Sequence, residues 1–193
     1  RAGTPVLGSC AGLIMLDRAH LQIMDILAER NAFGRQVRSF EADLEGLDGL
    51  VLPGGESTTM TIGIAREGLA EPLRALAAGG APVLGSCAGL IMLDREHLGL
   101  MDMRAERNAF GRQVRSFESE VELPGLDGGP IRGVFIRAPW IAEHGADVEI
   151  LAAVDGHPVA ARQENMLAVA FHTELGRDPR LHAMFLDRVA AAR

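Results

Sequence analysis

The order of apolar runs, glycine turns and helical stretches predicts an α/β fold: a three-layer sandwich with a mostly parallel central sheet. Three observations carry that expectation. Gly49-Leu50-Val51-Leu52 and Pro82-Val83-Leu84-Gly85 are short apolar runs bounded by glycine, as strands buried on both faces of a parallel sheet are. Each is followed by a turn and a stretch with apolar residues at helical spacing. Later in the chain, the turns Asp155-Gly156 and Glu164-Asn165 fall close together, which suits a short antiparallel meander.

An internal repeat governs how the elements are placed. Gly3 to Glu41 reappears as Gly80 to Glu118, differing only at Thr4/Ala81, Ala19/Glu96, Gln22/Gly99, Ile23/Leu100, Ile26/Met103 and Leu27/Arg104. Solenoid repeats diverge more than this and recur more often, so an array is not expected. A recent duplication and an error in assembling the sequence both explain it. The chain is expected to be one domain over 1–193, in which 1–45 is an atypical near-copy of 78–122.

Each copy reads as strand, tight turn, helix and extended segment. In the second copy the strand is Pro82 to Gly85 and the helix runs from Ala88 to Leu98, with Leu90, Ile91, Leu93 and Leu98 on its apolar side. Between the copies, the strand Gly49 to Leu52 ends at Pro53-Gly54-Gly55. Helices over Thr58 to Arg66 and Leu69 to Ala78 follow, the second stopped by Gly79-Gly80. Ile131 to Ile136 and Val148 to Val154 read as strands, and the meander continues through Val159 to Gln163 and Leu167 to Phe171. Asp178-Pro179 then opens a closing helix through Leu181, Phe185, Leu186 and Val189.

Composition narrows the function classes. The chain has 193 residues, long enough for a real core, with 48% hydrophobic and 23% charged residues. A formal net charge of -7 with no basic tract argues against nucleic acid or an anionic membrane as the main partner. No apolar run approaches bilayer length, and no secretory signal is found. Cys10 and Cys87 sit in identical local sequences, unlike a disulfide framework, so a reducing, cytoplasmic setting is expected. Arg1 rather than Met opens the chain, so a natural start upstream is expected.

Gly85-Ser86-Cys87-Ala88-Gly89 places a thiol between a strand and a helix, flanked by glycines. Such an elbow lifts its side chain above the carboxyl edge of the sheet, and small neighbours are needed where backbones approach closely. The start of a helix also favours the thiolate. A structural cysteine in a tight turn is the plainer alternative. Phe171-His172-Thr173-Glu174 shifts the balance, because alternation on an extended segment points His172 and Glu174 the same way. His172 can then serve Cys87 as base, with Glu174 fixing its tautomer. Alone, an H-x-E pair is more often solvated than catalytic. Pro53-Gly54-Gly55-Glu56-Ser57 supplies a turn after a strand whose backbone N–H at Gly55, with that of Ala88, can face a developing oxyanion. By itself such a turn is a common loop breaker.

Taken in this order and spacing, these motifs resemble those of class I glutamine amidotransferases. More narrowly, the chain is similar to the family of glutaminase subunits of pyridoxal 5′-phosphate synthase. The stretches that carry the likeness are Leu52 to Met60, Glu106 to Val114 with Ser116-Phe117-Glu118, and Val134 to Pro139. The resemblance covers about Gly46 to the C-terminus. It implies a flavodoxin-like fold and hydrolysis of L-glutamine to L-glutamate and ammonia by Cys87, His172 and Glu174. It implies that Gly55, Glu56, Ser57, Arg107, Ile136 and Arg137 line the glutamine pocket, with Gly55 and Ala88 at the oxyanion. Arg107 and Arg137 suit a substrate carboxylate, although most surface arginines are merely solvated. It further implies no metal or cofactor, and a separate synthase (lyase) subunit that receives the ammonia in a hetero-oligomer.

The chain departs from the family pattern in three places. The family begins with a strand, a Leu-Gln-Gly turn and a helix, and that turn helps the synthase switch the glutaminase on; here the first repeat copy occupies that place. The stretch from Cys87 to Arg107 is several residues shorter than usual, and Thr173 stands where proline is common. Cys10 shares the elbow sequence, but the Pro-Gly-Gly turn follows it rather than precedes it, which favours Cys87 as nucleophile. Two other readings remain beside the leading one. One is a glutaminase feeding another acceptor, such as imidazole glycerol phosphate synthesis, against which the Arg107 to Gln113 and Phe135 to Pro139 stretches speak. The other is an impaired homologue that only binds its partner.

Overall fold

The structure is a computed structural model that describes residues 7–8, 47–107, 110, 116–176 and 178–192. Cys10 and most of the first repeat copy lie outside them, as do Asn108 and the stretch 111–115. In chain order the described strands are β1 (Leu7–Gly8), β2 (Leu50–Leu52), β3 (Val83–Ser86), β4 (Met103–Glu106) and β5 (Phe117–Val121). They continue with β6 (Ile131–Phe135), β7 (Trp140–His144), β8 (Glu149–Val154), β9 (His157–Gln163) and β10 (Met166–Val169). The described helices are α1 (Ser57–Arg66), α2 (Ala70–Ala78), α3 (Ala88–Leu93) and α4 (Arg180–Ala191).

The central sheet has the order β1-β2-β3-β10-β9-β8. Its β1/β2, β2/β3 and β3/β10 pairings are parallel, whereas β10/β9 and β9/β8 are antiparallel. The parallel half comes from the apolar runs, and the antiparallel half is the expected meander. Leu7 pairs with Leu50, so the first repeat copy places a strand beside β2.

Two glycines show which face each helix covers. A Cβ at Gly89 of α3 would lie 2.0 Å from the Leu52 carbonyl oxygen, so α3 rests directly on the end of β2. A Cβ at Gly49 would lie 2.7 Å from the Val189 side chain of α4. Positions 49 and 52 point to opposite faces of a strand, so α3 and α4 sandwich the sheet. The α1 helix packs on α3, and Arg74 of α2 donates to the carbonyls of His97 and Leu98 beyond α3. Arg180 of α4 donates to the carbonyls of Asp127, Gly129 and Pro130, closing the far layer over the β5–β6 hairpin. Val83, Leu84, Val159, Leu167 and Val169 fill the core between the layers.

The structure corrects one boundary. The helix expected through Leu98 ends at Leu93, because Asp94 leaves helical geometry at ψ 172°. Its carboxylate is buried and accepts from the backbone N–H of Glu96, His97 and Ala105, and it contacts His97 Nδ1 at 2.7 Å. Those side-chain bonds replace a helical turn. They also turn the chain into β4, whose pairing with β7 the sequence pattern did not indicate.

Candidate active site

Cys87 occupies a positive-φ conformation (φ 50°, ψ −107°) between β3 and α3. That region is costly for any residue with a Cβ, and it persists here because both flanks are fixed. The Cys87 N–H donates to the Val169 carbonyl at 2.8 Å, and α3 begins at the next residue. The elbow read from the glycine spacing therefore has the strained turn expected of it.

His172 is brought to the thiol by register. The parallel β3/β10 pairing sets Val169 opposite Ser86, so both chains leave the same edge of the sheet. The His172 N–H then donates to the Val134 carbonyl at 2.8 Å, a bridge that holds the segment against the end of β6. On the other side of the ring lies Gly54, where a Cβ would come within 2.5 Å of His172 Cε1. Any larger residue at that position of the Pro-Gly-Gly turn would push the imidazole aside.

Glu174 Oε1 meets His172 Nδ1 at 2.8 Å. Burial by itself lowers the His172 pKa, but hydrogen bonds with Cys87 and Glu174 and the attraction of both groups outweigh it, and the imidazole is pushed up to about 10. Burial tends to raise Glu174, yet its bond to His172 holds the carboxyl below its ordinary value. The Cys87 sulfur also faces the Ile136 carbonyl at 3.9 Å.

A cleft of about 310 Å³ opens over the thiol, lined by Gly55, Glu56, Ser57, Cys87, Ala88, Arg107, Ile136, Arg137 and His172. Every site residue expected from the sequence lies there except Glu174, which stands behind His172. The cleft also includes Ile91, which sequence reasoning missed. Its signal was available: Ile91 follows Cys87 by one helical turn, on the same side of α3.

The polar rim is organised around Glu56. Its carboxylate caps α1, accepting from the N–H of Thr58 at 3.1 Å and of Thr59 at 2.7 Å, and from the Thr59 hydroxyl at 2.8 Å. Led by the Thr59 hydroxyl, these bonds lower its pKa to about 2. Glu56 also accepts from Arg107 at 3.2 Å, and Arg107 donates to the Thr58 hydroxyl at 3.2 Å. Arg137 also lines the cleft, at φ 46°. The cleft thus brings a thiol and an imidazole together with two arginine side chains.

Comparison with known proteins fits this arrangement. The model of a family described as the SNO glutamine amidotransferase family matches residues 1–45 and, separately, 41–191. The chain is 47% identical over 197 residues to the pyridoxal 5′-phosphate synthase subunit PdxT of Streptomyces griseus, covering 97% of this chain and 98% of that one. It is 54% identical over 163 residues to the PdxT of Acidothermus cellulolyticus, covering 77% and 79%. A solved structure described as a glutamine amidotransferase superposes with a TM-score of 0.70 at 43% identity, over 76% of this chain and 81% of that one.

Proposed function

The chain belongs to the SNO glutamine amidotransferase family, and on that premise we propose that it hydrolyses L-glutamine to L-glutamate and ammonia at the Cys87 cleft. The observation that carries the reading is the His172 imidazole, which lines the cleft with Cys87 and is backed by Glu174 at 2.8 Å. Cys87 Sγ attacks the side-chain amide carbon, with the oxyanion taken up by N–H groups at Gly55 and Ala88. His172 gives its proton to the nitrogen as the C–N bond breaks, so that ammonia leaves and the glutamyl group remains on Cys87 as a thioester. Water, deprotonated by His172, then hydrolyses the thioester to glutamate and frees the thiol. Glu174 supports the imidazolium throughout.

The α-carboxylate of glutamine is assigned to Arg107 and Arg137. Glu56 serves recognition through Arg107, since it already holds the helix cap and the guanidinium. Ser57, Ile91 and Ile136 shape the remaining wall. A cleft of about 310 Å³ suits an amino acid, at the lower end of the ~300–1,000 Å³ range of small-molecule sites.

The ammonia is passed to a synthase subunit of the kind the PdxT relatives serve by name, for pyridoxal 5′-phosphate synthesis. Docking of that partner acts on the Gly54-Gly55 turn, where one peptide orientation offers N–H to the oxyanion and the other a carbonyl. A misplaced donor costs about 3 kcal/mol, roughly a hundredfold in rate. We expect the isolated chain to release ammonia from glutamine slowly and to speed up when the synthase subunit is added. Full activity unchanged by the synthase would overturn the gating. No activity in either condition would favour an impaired homologue that only binds its partner.

A further inference from the structure

Behind the cleft lies a half-buried imidazole that the reaction does not use. His182, on the first turn of α4, meets the Thr173 hydroxyl through Nε2 at 3.0 Å, while its buried Nδ1 has no hydrogen-bond partner among the described residues. Thr173 is itself buried and stands between His172 and Glu174. A bare lone pair in a dry site costs less than an unpaired N–H, so the neutral Nε2–H tautomer is the one that fits, donating to Thr173 Oγ1. Burial accordingly lowers the His182 pKa, although Glu174 acts to raise it.

The backbone of the segment 172–174 is tied at His172 to Val134, and the His172–Glu174 bond is internal to the segment. The link to α4 runs through the Thr173 hydroxyl. We propose that His182 is a positioning residue: through Thr173 it fixes the segment bearing His172 and Glu174, and so sets the imidazole against Cys87. This rests on the glutaminase reading for its kinetic test, but its geometric claim stands on a separate measurement.

The full chain is compared with Thr173→Val, which keeps shape and loses the hydroxyl, with His182→Leu and with His182→Gln, whose amide N–H reaches as far as Nε2. In the presence of the synthase subunit, Thr173→Val and His182→Leu should each lose about tenfold in kcat with KM within about twofold. The His182→Gln substitution should regain the wild-type rate to within about twofold. The Thr173→Val/His182→Leu double variant should fall no further than either single, because both remove one interaction. The second readout needs no glutaminase activity. Iodoacetamide labelling at about pH 6 is followed on the tryptic peptide 75–95, which carries Cys87 and is distinct from peptide 2–18 with Cys10. Labelling of Cys87 should slow by about tenfold in Thr173→Val and His182→Leu and recover in His182→Gln. Unchanged labelling in the first two variants, or a His182→Gln variant as impaired as His182→Leu, overturns the proposal. Wild-type labelling without any ammonia release would sink the glutaminase reading and leave the labelling test of His182 in force.

Discussion

The two halves of the cleft are built in opposite ways. The reactive half, Cys87 with His172 and Glu174, hangs from adjacent strands of the central sheet and is largely buried. Its positions follow from β3/β10 register and from bonds that exclude water. The recognition half, Glu56, Arg107 and Arg137, stands on turns and strand ends and is open to solvent. There a helix cap and one exposed ion pair do the positioning. On the proposed reading, reaction geometry is entrusted to the sheet, while substrate selection falls to exposed turns and strand ends.

The largest effect should come from the reactive half. Cys87→Ala is expected to abolish glutamine hydrolysis, by about 10⁴-fold or more, whereas Cys10→Ala keeps most of it; glutamate release measures both. A thiol-alkylating glutamate analogue should label Cys87, and equal labelling of Cys10 would show that the repeat has been misjudged. Removing a cation from the recognition half should act differently. Arg107→Met is expected to raise KM about tenfold with kcat within about twofold, since it removes binding shared by ground and transition states. A kcat loss as large as the KM change would erase the division between the halves.

The smallest effect is on stability. The His172 pKa rises from 6.5 unfolded to about 10 folded, so its contribution is complete below pH 6.5 and is lost as pH climbs toward 10. Glu174 is shifted the other way, so its contribution is present above its ordinary value and lost on acidification. Thermal unfolding between pH 6.5 and 10 should therefore show a Tm that falls by a few degrees in the wild type and less in His172→Asn. Parallel slopes in the two proteins would show that the pair adds nothing to the fold.

The sequence by itself determined the order of the elements and named the candidate thiol, imidazole and carboxylate. The glycine-flanked thiol, the H-x-E alternation and the apolar runs are local patterns, and local patterns survive in any fold that keeps their strands and turns. The α3 boundary was not legible, because Asp94 ends the helix through bonds that include the Ala105 N–H, eleven residues on. Nor were the β4–β7 and β5–β6 pairings, since a strand's own pattern does not say which strand it will meet. At the cleft, the glycine-flanked thiol and the H-x-E pair were read from the residues, the remaining lining residues came from the family resemblance, and Ile91 came from neither. Only the tertiary structure decided that Glu56 holds Arg107, and that His182 reaches Thr173 from the opposite layer. The physical reason is range: periodicity records what a residue does within its own element, whereas a side-chain hydrogen bond between distant elements exists only once packing has brought the two together.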